Sequence, residues 1–220
     1  EIIEKDENIA SVVLQTLQTK FMVGNYVTLG NYPQTSDGND NTPIEWLVLE
    51  SDGETALLVS RYTLERMSYN EKEEDTTWEK CTLRGWLNNE FFDKAFSAEE
   101  KQYILQSDVS ADENPKYSTN PGNATKDKVF LLSIVEADKY FESDDARMCA
   151  PTDYAIKRGI YTSNSNRVDG RKTCYWWLRS PGFYSCNATL VSAGGAIEKY
   201  GYTVYPNTLA VRPCVRVRLF

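Results

Sequence analysis

Apolar and polar positions fall into blocks along this chain, each with the period of a strand or a helix, and the texture changes after Gly159. Residues 1–20 carry apolar positions at Ile9, Val13 and Leu17 on an otherwise polar stretch, so 1–22 reads as an arm or linker helix. The compact domain is expected over 23–220 and opens with a short strand near 23–30, followed by a polar loop at 33–43. Two β-rich runs, 44–50 and 55–60, flank Ser51-Asp52-Gly53-Glu54. They predict a hairpin, because Asp-Gly accepts the positive φ of a tight turn.

Trp78, Leu83, Trp86 and Leu87 share one helical face and predict a helix over 77–88. Ser97-Ala98-Glu99-Glu100 and Ser133-Ile134-Val135-Glu136 are capping boxes, the second placed directly after an apolar strand at 129–132. Pro151 and Gly159 bracket a further helix over 152–158. Beyond Gly159, short strands alternate with Gly, Asn and Ser turns. The chain ends with Val211, Pro213, Val215, Val217 and Leu219 on one face and Arg212, Arg216 and Arg218 on the other. Strands, then helices, then many strands describe an α+β fold: antiparallel strands, a few packed helices and a loop-rich C-terminal third.

Composition narrows the function. With 220 residues, 41% hydrophobic and 25% charged, the chain can bury a substantial core. Its balance is acidic, 24 Lys and Arg against 32 Asp and Glu, with no basic run; that argues against nucleic acid as a partner. Apolar runs are of strand length, so membrane insertion is not expected. The absence of histidine removes Ser-His-Asp and Cys-His catalysis and every His-based metal site. Neither a metal nor a cofactor is expected.

The cysteines, Cys81, Cys149, Cys174, Cys186 and Cys214, form no Cys-x-x-Cys pair. Cys81 and Cys214 read as small buried hydrophobes, while a single bridge involving Cys174, Cys186 or Cys214 stays open. The acidic stretches 37–41 and 142–145 lack EF-hand spacing and read as solvated, with a weak calcium site as the minor alternative.

The chemistry concentrates near the C-terminus. Cys174-Tyr175-Trp176-Trp177-Leu178-Arg179-Ser180-Pro181-Gly182 and Leu209-Ala210-Val211-Arg212-Pro213 read as apolar braces. Trp176 and Trp177 are successive strand residues, so one is expected in the core and the other on the ligand side. Arg179 and Arg212 are expected to be buried, each tying several loop carbonyls or carboxylates with its five donors. Between the braces lie Phe183, Tyr184, Ser185, Asn187, Glu198, Tyr200, Tyr202, Tyr205 and Asn207. An aromatic and amide-rich set of this kind suits recognition, since Tyr gives broad contact area at low entropy cost.

Several segments resemble an uncharacterised bacterial domain family over residues 24–220: Gly30 to Gln34, Pro43 to Leu49, Leu83 to Asn88, Asn120 to Thr125, Lys128 to Ser133, Trp176 to Gly182, and Val211-Arg212-Pro213. The Trp-Leu-Arg-Ser-Pro and Val-Arg-Pro ending is also remotely similar to the C-type-lectin-like fold of formylglycine-generating-enzyme relatives and of diversity-generating-retroelement variable proteins. That similarity implies an extracellular or cell-surface setting and a C-terminal ligand face open to diversification over 183–207. It also implies a terminal strand paired with the first strand, near 26–29.

The leading expectation is a non-enzymatic module that recognises a protein or glycan partner; its oligomeric state is left unassigned. An enzyme is the second reading, either an oxidase of the formylglycine-generating type or a carboxylate-based hydrolase. The oxidase needs a closely spaced reactive cysteine pair, which Cys186 and Cys214 do not supply. A structural spacer of a surface protein is the third.

Overall fold

A computed structural model describes Thr16, residues 19–205 and residues 208–219. Ile9, Val13 and Leu17, the basis for the N-terminal helical arm, lie outside the described residues, as does Asn207. In chain order the elements are β1 (Tyr26–Tyr32), β2 (Thr42–Ser51), β3 (Thr55–Ser60) and β4 (Glu65–Met67), then helix α1. Helix α1 is composite: an α turn Thr82–Trp86, a π turn Leu87–Phe91 and a second α turn Phe92–Ala95. A 3-10 turn follows at Glu100–Gln102, then β5 (Ser107–Val109), β6 (Thr125–Asp127) and β7 (Val129–Phe130). Three short helices come next, α2 (Ile134–Tyr140), α3 (Asp144–Arg147) and α4 (Asp153–Lys157). The remainder is strand: β8 (Thr162–Val168), β9 (Arg171–Cys174), β10 (Trp176–Pro181), β11 (Asn187–Val191), β12 (Ile197–Thr203), β13 (Leu209–Val211) and β14 (Cys214–Arg218).

Two five-stranded sheets carry the fold, in the orders β1-β2-β3-β14-β7 and β12-β11-β10-β13-β4. The pairing is antiparallel except between β10 and β13. The α+β, mostly antiparallel architecture is therefore as the pattern indicates. One core of buried residues draws on both sheets: Trp46, Leu58 and Val215 from the first, Trp177, Leu190 and Ala210 from the second.

The last strand differs from expectation. Instead of one strand over 210–219, β13 lies in the second sheet and β14 in the first. The chain crosses at Arg212-Pro213, where Pro213 has no N–H for a ladder and its carbonyl accepts from the Ser60 amide at 3.0 Å. Strand β14 does not pair with β1. It lies between β3 and β7, with Val215 opposite Leu58 on one side and Val129 on the other. Arg212 is buried in the crossing, as its part as a brace predicts, whereas Arg216 and Arg218 of β14 are not buried.

Local signals explain most boundaries. Ser133 and Glu136 make the reciprocal bonds of a capping box at the start of α2. Ser97 and Glu100 make the same bonds, but they open only the 3-10 turn, and the other Glu100 oxygen accepts from the Gly30 amide at 2.7 Å. Helix α1 starts later than predicted, because the Cys81 thiol caps it by accepting from the Arg84 amide, which leaves Trp78 in the preceding turn. It also runs on to Ala95, and Phe91 and Phe92 extend its buried face. Neither acidic stretch is bare: Asp40 accepts from the Gln34 and Thr35 amides, and Asp144 pairs with Arg147.

Glu50 fastens β2 to two other elements. Its carboxylate accepts from Lys139 and Tyr140 of α2 at 2.9 Å each and from Arg216 of β14 at 3.0 Å. The Lys139 bond leads in lowering the Glu50 pKa from the ordinary 4.5 to about 2, with Arg216 and Tyr140 adding to it against partial desolvation. A depressed carboxyl contributes stability above its unfolded pKa and loses it as pH falls through the folded value. Stability is therefore expected to drop between pH 4.5 and about 2. The Glu50→Gln variant should show a shallower drop, checked by urea denaturation at about pH 5 and about pH 2.5.

Candidate recognition face

Strand β10 forms the base of this region. All six of its residues are buried, because it has strands on both edges and a packed layer on each face. Trp176 and Trp177 are consequently both fully buried, and neither lines a ligand surface. Each indole is anchored: Trp176 Nε1 donates to the Arg147 carbonyl at 3.2 Å, and Trp177 Nε1 to that of Met67 at 3.0 Å.

Arg179 and Arg212 are 3% and 4% exposed, so both guanidinium charges sit in the core. Arg179 donates to the carbonyls of Leu131 at 2.8 Å and Ser110 at 3.2 Å, and forks onto both carboxylate oxygens of Glu136. Arg212 donates to the Ser60 carbonyl at 3.0 Å and lies over the rings of Trp176 and Phe141 at 5.0 and 5.3 Å. A third buried guanidinium, Arg147, gave no sequence signal beyond its place after an acidic run. It donates to the Gly195 carbonyl at 2.9 Å, while its own carbonyl receives Trp176 and Arg212.

Above this base, Phe183, Tyr184, Tyr200, Tyr202 and Tyr205 are exposed, between 41% and 54%. Phe183 and Tyr200 stack with centroids 5.2 Å apart, and Tyr184 meets both edge-on at 4.6 and 6.0 Å. Tyr117 joins the group 4.9 Å from Phe183 and 6.1 Å from Tyr200. A hydrogen bond with Tyr184 leads in raising the Tyr200 pKa above the ordinary 10.

Tyr117 comes from the turn-rich loop at 114–125, to which the sequence pattern assigns no functional residue. Asn114, fully buried, holds this loop by donating to the carbonyls of Pro181 at 2.9 Å and Lys199 at 2.7 Å. Thr119 adds a bond to the Phe183 carbonyl at 3.1 Å. The two Asn-Pro steps flanking Tyr117 were the available clue, since they mark a shaped turn.

Tyr200 and Tyr202 alternate with Glu198 as the exposed positions of β12. Gly201 between the two rings has φ +77°, and a Cβ there would lie 2.5 Å from the Ala188 carbonyl, so only glycine fits this bulge. Ser185 is exposed, and its carbonyl accepts from the Thr76 amide at 3.1 Å. Asn187 does not belong to the face. It is 5% exposed at the start of β11, a strand whose five residues are all buried. The exposed residues of 183–207, among the described ones, are Phe183, Tyr184 and Ser185, Gly194 in the turn before β12, Glu198, Tyr200 and Tyr202 of β12, and Tyr205.

All five cysteines are free. Cys214 is fully buried in β14 between Val59 and Phe130, and burial pushes its thiol well up from the ordinary 9. It offers no accessible thiolate of the kind the oxidase reading needs.

The molecule is thus an α+β domain of two mostly antiparallel sheets that presents clustered aromatic rings on a base fixed by buried arginines. The chain belongs to the family described as a domain of unknown function, DUF6273, which matches residues 53–219. Strands β1 and β2 precede that match, although they are hydrogen-bonded into its first sheet. No curated protein and no solved structure matches the chain.

Removing the Arg179 guanidinium strands the Leu131 and Ser110 carbonyls and leaves Glu136 unpaired. The Arg179→Ala variant should therefore lose on the order of 3 kcal/mol of unfolding free energy. Arg179→Lys should recover only part of it, since an ammonium cannot fork onto the carboxylate. Chemical denaturation of both variants checks this; an alanine variant as stable as the parent would contradict it.

Proposed function

We propose that this domain is a non-enzymatic recognition module whose ligand face is the cluster of Phe183, Tyr184, Tyr200, Tyr202 and Tyr205, extended by Tyr117. The observation that carries the reading is the cluster of three exposed rings, Phe183, Tyr184 and Tyr200, packed with Tyr117 on a well-packed domain, with Tyr202 and Tyr205 also exposed. Contiguous exposed apolar surface of that kind marks interaction sites. Tyr is also the side chain that binds with least loss of rotamer freedom. Ser185, Glu198 and Thr119 supply polar groups at its margin.

A protein surface fits this face better than a glycan, because the buried Asn187 takes away the amide best suited to sugar hydroxyls. The C-type-lectin-like kinship and the cell-surface setting belong to this proposal. Their support is the return of β14 to the sheet that holds β1. The pairing of β14 with β3 rather than β1 counts against that kinship and leaves the recognition reading itself untouched. Diversification over the exposed positions would leave β11 constant, since every residue of that strand is buried.

The double variant Tyr184→Ser/Tyr200→Ser tests the proposal. Screened in parallel on a displayed peptide library and a glycan array, the parent is expected to select peptides that the double variant binds at least about tenfold more weakly. Unfolding free energy should move by no more than about 0.5 kcal/mol per exposed site. Loss of folding would place the rings in the core and end the proposal. Hits confined to the array would replace the protein partner with a glycan.

A further inference from the structure

A second concave surface lies between β4 and α1, a cleft of about 500 Å³. Helix α1 turns one face toward it, Thr82, Gly85, Trp86, Asn89 and Glu90, while Glu65, Met67, Glu71 and Arg158 complete the lining. Three carboxylates thus stand against one guanidinium. Glu65, 5% exposed, is held fast: it accepts from Tyr32 Oη at 3.0 Å, Arg158 Nε at 2.9 Å and the Arg66 amide at 3.0 Å. The buried Glu65 carboxylate is paired with the exposed Arg158 at the cleft, and the exposed Glu71 and Glu90 make no ion pair among the described residues.

Three features of α1 have no explanation in the fold. Gly85 sits inside a helix, where glycine is unfavourable relative to alanine, yet a Cβ there would meet nothing within 4 Å. Packing therefore does not demand it, and what it does is leave the cleft open. The π turn at Leu87–Phe91 is a rare local geometry that clusters at functional sites, and it sets Asn89 and Glu90 on the wall. Thr82 Oγ1 is buried and finds no hydrogen-bond partner among the described residues. No group of three or more Asp, Glu, His or Cys among the described residues is placed to hold a metal ion, so the excess negative charge is not that of a cation cage.

We propose that this cleft is a binding site for an organic cation, the ammonium or guanidinium end of a Lys or Arg side chain presented by a peptide. The alkyl stem would lie along Trp86 and Met67, an indole face being the best aromatic partner for a cation. The charged end would meet Glu71 and Glu90. This site is separate from the aromatic face and stands without it.

Trp86 reports on the cleft directly: it is half-buried, whereas Trp46, Trp78, Trp176 and Trp177 are buried. Nα-acetyl-lysine methylamide and its arginine counterpart are titrated against the folded domain while the indole N–H resonance of Trp86 is followed by NMR. The neutral Nα-acetyl-norleucine methylamide is the control. The charged probes are expected to shift Trp86 saturably, more weakly at high salt, and norleucine to bind about tenfold more weakly.

Glu71→Gln/Glu90→Gln should weaken the lysine probe by roughly fivefold with an unchanged melting temperature. Gly85→Ala should raise the melting temperature and still weaken the probe, a combination that a purely structural glycine would not give. Tyr184→Ser/Tyr200→Ser should leave this titration untouched, so failure of the aromatic-face reading and failure of this one are distinguishable. Equal binding of norleucine and lysine, no saturable shift by either charged probe, or full affinity in Gly85→Ala overturns the proposal.

Discussion

Burying a guanidinium is the constraint on which the rest of this structure turns. A charge removed from water carries a large desolvation penalty unless donors and acceptors around it are nearly complete. Arg179 and Arg212 meet that demand with backbone carbonyls, a carboxylate and aromatic rings drawn from distant parts of the chain. Satisfying Arg179 brings Ser110, Leu131 and Glu136 to one point; satisfying Arg212 brings Ser60, Phe141 and Trp176 to another. Once those groups are in place, the geometry of β10 and of everything resting on it is fixed. Mobile side chains can then be exposed above without loosening what lies below.

One segment of chain borders both proposed surfaces. Asn70, buried at 4%, donates its amide to the Val204 carbonyl beside the aromatic face, and its side-chain oxygen accepts from the Thr82 amide at the edge of the cleft. Thr76, six residues on, reaches the Ser185 carbonyl. The 70–76 segment therefore runs between them, hydrogen-bonded toward each.

Legibility in the sequence followed the range of the forces involved. Short-range chemistry was readable: the Asp52-Gly53 hairpin, the Ser133 capping box and the Thr152 helix bracketed by Pro151 and Gly159 all form. Long-range packing was not. Alternation of faces predicts one buried Trp in a surface strand, and it fails for Trp177 because β10 is covered on both faces. The same blindness placed Asn187 outside, where composition suggested a loop and the structure has a buried strand. Tyr117 was missed because its neighbours in space, Phe183 and Tyr200, lie more than sixty residues away in sequence. The end of the chain read as one alternating strand since nothing local records that Arg212-Pro213 passes from one sheet to the other.

That crossing bears on how the molecule comes into being. Strands β13 and β14 come last in this domain's chain order, yet each fills an interior position, β13 between β10 and β4 and β14 between β3 and β7. Until residue 218 has left the ribosome, both sheets lack a middle member, and β3 and β10 present unpaired edges to whatever is nearby. The first sheet of this domain cannot close before β14 is made, nor the second before β13. The nascent chain passes through an interval of open, sticky edges whose length is set by the rate of elongation.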